Sequence, residues 1–90
     1  TYDSDVNLAI QIMEEEILKN PLTINDNDKY LTNITCSNLN SNGFELKGIV
    51  WSNSVADNFK ACSELRISIY YAWKKRGIEV PYNTITVLNE

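Results

Sequence analysis

Apolar and polar positions alternate along the chain in two different periods, and the switch between them outlines the elements. Val6, Ala9, Ile10, Met13 and Ile17 recur at helical spacing, with Glu14, Glu15 and Glu16 largely off that stripe. Asp3, Ser4 and Asp5 offer cap oxygens and negative charge where such a helix begins, and Asn20-Pro21 ends it. Residues 22–29 read as a polar connection. The period then becomes two: Tyr30, Thr32, Ile34 and Cys36 line one face of a strand over 30–38, and Asn33, Thr35 and Ser37 the other. Asn40-Ser41-Asn42-Gly43 is a hairpin signal, because Asn and Gly tolerate the positive φ of tight turns. A return strand over 44–51 puts Phe44, Leu46 and Val50 on one side. Ile49 and Trp51 emerge on the other, which predicts that its far face is covered too.

Helical period returns after Ser52, Asn53 or Ser54, any of which can cap a second helix reaching Arg76. Its predicted buried stripe is Val55, Phe59, Cys62, Leu65, Ile69, Ala72 and Trp73. Lys74, Lys75 and Arg76 fill its last turn, where cations complement the helix dipole, and Gly77-Ile78 has the form of a left-handed stop with its apolar follower. Beyond Pro81, the β-branched run Thr84-Ile85-Thr86-Val87-Leu88 predicts a terminal strand.

The order is helix, strand, strand, helix, strand, with Thr1 and Tyr2 as the stub of an earlier strand. That is α+β: a ferredoxin-like split βαβ sandwich, βαββαβ with the first strand truncated, two helices packed on one face of a small antiparallel sheet. Residues 1–82 form the α/β domain. Residues 83–90 begin a C-terminal strand.

At 90 residues there is room for one modest core. The 43% apolar content and nine aromatic residues belong to a folded unit rather than a disordered one. No apolar run approaches the ~20 residues a spanning helix requires. A net charge of −4 with sparse basic residues argues against nucleic acid. The start carries neither a signal peptide nor an initiator Met, which suggests an excised or processed piece. Cys36 and Cys62 both fall on apolar faces and are expected as buried thiols rather than a disulfide.

Little in the sequence supports catalysis or a cofactor. There is no His to act as general base, no nucleophile elbow, and no glycine-rich phosphate loop. Asp26-Asn27-Asp28 resembles the opening of a calcium loop, but the required Gly is missing and Ser37 stands where Glu is needed, so it reads as a turn. Glu14–Glu16 reads as a solvated helix face. Asn33-Ile34-Thr35 matches a glycosylation sequon placed within a strand. Small hydrolases of this fold need an Arg near the first strand, and none occurs before Arg66. Metal carriers of this fold need Cys-x-x-Cys, which is also absent.

Fold alone leaves function open. Four segments go further. Tyr2-Asp3-Ser4-Asp5 followed by Val6, Ala9 and Ile10 resembles the entry to the first helix in the cytoplasmic domain of the small-conductance mechanosensitive channel (MscS) family. Phe44-Glu45-Leu46-Lys47-Gly48-Ile49-Val50-Trp51 is similar to that family's second hairpin strand. Ser63-Glu64-Leu65-Arg66 through Ala72-Trp73 resembles its second helix. Gly77-Ile78-Glu79-Val80-Pro81-Tyr82 resembles its exit from that helix. Asn83 departs from the Pro that often follows the aromatic there, and Asn-Ser-Asn-Gly departs from the usual acidic hairpin turn.

The resemblance implies the wall of a soluble cage on a heptameric channel of the bacterial inner membrane, on the cytoplasmic side, opened by bilayer tension to release solutes on osmotic downshock. It implies a structural and assembly role, not an enzyme, and no cofactor. Thr84, Ile85, Thr86, Val87 and Leu88 would join copies from other subunits in a small closing barrel; the simpler alternative is an edge strand within one domain. The competing function is a free-standing ferredoxin-like regulatory or small-ligand-binding module.

Overall fold

The structure, a computed structural model, describes residues 2–24, 33–40, 43–78 and 82–89. Helix α1 spans Tyr2–Lys19, strand β1 Thr23–Ile24, β2 Asn33–Asn40, β3 Gly43–Ser52, helix α2 Val55–Lys75, and β4 Tyr82–Asn89. The chain is α+β, with two helices against one face of a small sheet, consistent with a ferredoxin-like arrangement. Tyr2 already belongs to α1 rather than to a strand, and Thr1 lies outside the described residues.

β3 is the middle of the sheet. Antiparallel β2 pairs with it from Asn33↔Ile49 to Asn40↔Gly43, with an irregularity between Cys36 and Asn38. Parallel β4 pairs with it from Glu45↔Tyr82 to Ser52↔Asn89. Because β4 holds one edge of β3 to its end, β1 and β2 share the other. β1 continues that edge beyond the last β2 pair, through Ile24↔Trp51 and Thr23↔Ser52. Thr23 and Ile24 are thus strand residues, not part of a wholly polar connection. The connection is anchored at the end of α1, where the Thr23 hydroxyl donates to the carbonyls of Ile17 (2.8 Å) and Asn20 (3.0 Å). The Leu22 amide donates to Asn20 Oδ1 at 2.9 Å.

The sheet is therefore mixed rather than wholly antiparallel. A parallel pair needs a crossover of a dozen or more residues, and α2 supplies it between β3 and β4. In a complete split βαβ unit the first strand lies between the two parallel strands β3 and β4 and runs antiparallel to both. Among the described residues no strand precedes α1, and β4 meets the backbone hydrogen-bonding groups of that edge of β3.

Both ends of α2 follow from local chemistry. Ser54 has extended geometry (φ −151°, ψ 165°), and its Oγ accepts from the Asp57 amide at 3.1 Å. At the other end, Gly77 has φ +80°, its amide donates to Lys74 O, and the Ile78 amide donates to Trp73 O at 2.9 Å. This is the two-bond Schellman pattern. Ile78 is buried, so the stop also delivers a core side chain.

Leu46, Gly48, Val50 and Ser52 alternate along β3 and are all buried on the helix side. Val6, Ala9, Ile12, Met13 and Ile17 of α1, and Cys62, Leu65, Ile69 and Trp73 of α2, complete the core with Ile78. Ile12 is buried where the helical-spacing reading chose Ile10, which is half-buried, because α1 is packed against both α2 and β3. The first turns of α2 also differ from the sequence reading. Val55 is 55% exposed and Phe59 75% exposed, while Asn58 and Ala61 face inward. The inward arc is set by Leu65, Ile69 and Trp73, and extending it back along the helix reaches Asn58 and Ala61–Cys62 rather than Phe59. On the far face of β3, Ile49 and Trp51 are half-buried, with both helices on the opposite side. The side chain of Phe44, and Tyr30 and Thr32, lie outside the described residues.

Candidate functional site

The five C-terminal residues singled out from sequence form the middle of β4. Their backbone registers are Thr84↔Lys47, Ile85↔Gly48, Thr86↔Ile49, Val87↔Val50 and Leu88↔Trp51. One edge of β4 is thus taken within the chain. Among the described residues nothing pairs with its other edge, a row of backbone donors and acceptors of the kind that templates strand addition.

The charged motifs resolve into helix-surface features. Glu14 and Glu15 are exposed on α1, and Glu15 Oε2 accepts from Gln11 Nε2 at 3.4 Å. Glu16 is half-buried and meets Lys19 Nζ at 3.2 Å. Lys74, Lys75 and Arg76 are exposed at the end of α2, with Lys74 Nζ 5.4 Å from the centroid of the Tyr70 ring. Asp26, Asn27 and Asp28 lie outside the described residues. Among the described residues no three His, Cys, Asp or Glu side chains gather as a metal-sized group. Both cysteines are thiols, Cys62 buried as expected and Cys36 exposed. Cys36 differs because β2 is an edge strand: pairing with Leu46 places it in register with the core without burying it.

Sequence reasoning missed an outward apolar face on α2. Ile67 (59% exposed), Tyr71 (63%) and Tyr70 join Val55 and Phe59 there. The rings of Tyr70 and Tyr71 meet edge to face at 5.2 Å between centroids. The signal was present in the sequence: α2 carries more apolar residues than one stripe against a sheet can hold, and a helix apolar on a second side implies a second contact.

No helix among the described residues is long and apolar enough to cross a membrane. Residues 1–80 match the family model described as mechanosensitive ion channel MscS, C-terminal. No curated protein and no solved structure matches the chain.

Proposed function

Since the chain belongs to the MscS mechanosensitive ion channel family, as its C-terminal domain, we propose that it is the lower wall of a cytoplasmic cage on a heptameric channel. That channel lies in the bacterial inner membrane and releases solutes on osmotic downshock. The role of this domain is structural: it shapes the cage and helps to hold subunits together, and it carries out no reaction. The observation that carries this reading is the family match over 80 of the 90 residues. The match gives no support to the alternative of a free-standing small-ligand module.

Within that reading, residues 1–82 are the wall and residues 83–90 begin the segment that closes the cage. Thr84, Ile85, Thr86, Val87 and Leu88 would contribute to a barrel shared between subunits, using the edge of β4 that β3 does not hold. A barrel built this way removes the exposed edge from every copy at once.

The test uses the complete parent protein in a bacterial strain lacking its own mechanosensitive channels. The reading expects restored survival of osmotic downshock, tension-activated currents in membrane patches, and a seven-subunit mass in detergent. Removing residues 83–90 should lower the fraction of assembled oligomer. A parent that conducts nothing under tension would overturn the channel role. An unchanged oligomer after the truncation would overturn the barrel.

A further inference from the structure

The outward face of α2 and the outward face of α1 are complementary. On α2, Val55, Phe59, Ile67, Tyr70 and Tyr71 are exposed together, bordered by Lys60, Lys74 and Lys75. These five side chains present on the order of 500 Å² of apolar and aromatic surface, given the size of aromatic side chains. That is comparable with the largest patch of a typical monomer and a large part of the ~800 Å² per partner of a standard interface. The α1 surface has the opposite character. Glu14, Glu15 and the apolar Leu18 are exposed on it, and the helix carries five carboxylates against the single Lys19. α2 carries four basic residues against Asp57 and Glu64.

We propose that the aromatic, lysine-bordered face of α2 in one copy docks on the acidic face of α1, around Glu14, Glu15 and Leu18, in the next copy. The proposal rests on the cage reading for its oligomeric setting, but it concerns a different surface from β4. Charge selects the pairing. Two α2 faces meeting across a twofold axis would bring Lys60, Lys74 and Lys75 together, whereas α2 on α1 sets lysines against glutamates. A contact between two different faces is heterologous, so every copy both gives and receives, and a ring closes if the rotation allows. The net charge of −4 disfavours an anionic surface as the alternative occupant. Tyr70 already contacts both Tyr71 and Lys74, which lowers the ordering cost of the contact.

The test is disulfide trapping in the complete parent protein in its membrane, in a Cys36→Ser background that removes the exposed native thiol. The double variant Glu14→Cys with Tyr71→Cys should give a ladder of covalent oligomers under mild oxidation. Co-expressed single variants should give covalent dimers only, because each chain then has one reactive face. Lys74→Glu should weaken the ladder, and adding Glu15→Lys should restore it. Dimers from Tyr71→Cys alone would mean an α2–α2 contact and overturn the proposal. So would an intact oligomer in which Tyr71→Cys resists maleimide yet forms no product between chains, since another segment of its own chain would then cover the face. A parent that is monomeric in the membrane would sink the cage reading along with the contact; an intact oligomer without the ladder sinks the contact alone.

Discussion

The indole Nε1 of Trp73, near the end of α2, donates to the backbone carbonyl of Ala9 in α1 at 3.1 Å, joining the two helices through residues 64 positions apart in sequence. Trp73 is fully buried, and Ala9 is the small residue that lets the ring approach. The bond satisfies the one polar atom of an otherwise apolar anchor. Trp73→Phe keeps most of the packing and removes the donor, so it is expected to cost about 1–2 kcal/mol in urea unfolding. Trp73→Ala should cost about 3–5 kcal/mol, enough to threaten folding of so small a domain. Equal losses for the two variants would show that the hydrogen bond contributes nothing separable.

Gly48 sits in β3 beneath α1, and a Cβ there would stand 3.2 Å from Met13 Cε, 3.7 Å from Ile34 Cγ1 and 3.9 Å from Ile17 Cδ1. The tightest neighbour is the end of a flexible side chain, which can yield by a few tenths of an ångström. Gly48→Ala is therefore expected to be close to neutral, its crowding offset by the gain of a residue better suited to a strand. Gly48→Val should destabilise by about 1–3 kcal/mol through overpacking. Adding Met13→Ala should recover part of that loss, and a double-mutant cycle by thermal unfolding would read the coupling.

Ser52 Oγ is fully buried on the helix side of β3 and has no hydrogen-bond partner among the described residues. A buried hydroxyl without a partner carries its desolvation cost uncompensated. Ser52→Ala removes that cost and leaves a void of one small atom. It is expected to raise stability by about 1 kcal/mol, seen as a higher midpoint in urea with an unchanged slope. A fall in stability would mean that the hydroxyl is satisfied in solution.

Phe59 and Leu65 lie on the same helix with opposite environments, the first exposed and the second fully buried. Phe59→Ser is expected to change the stability of the monomeric domain by less than about 0.5 kcal/mol. Leu65→Ala should cost about 2–5 kcal/mol. A large loss from Phe59→Ser in the monomer would place Phe59 in the core and remove the outward face on which the α1–α2 contact depends.

Sequence alone was enough to determine the type and order of the two helices and the three long strands, because these depend on information a few residues wide. Met13 and Ile17 repeat at helical spacing, Leu46 and Val50 at strand spacing, and Ser54 and Gly77 supply the local hydrogen bonding and φ that start and stop α2. The family was legible for the same reason, since each of its motifs is a short local run, as at Gly77-Ile78, where backbone geometry restricts the residue. What only the tertiary structure decided is how each element meets the others. β4 lies parallel on β3, Thr23 and Ile24 extend the sheet, and Cys36 is exposed on an edge strand. α2 turns Asn58 inward and Phe59 outward. Helical period specifies that an apolar arc exists, but not where its centre points when the arc is wider than one contact. That orientation is set by the long-range anchors, Trp73 on Ala9 and Met13 over Gly48, whose partners lie dozens of residues away.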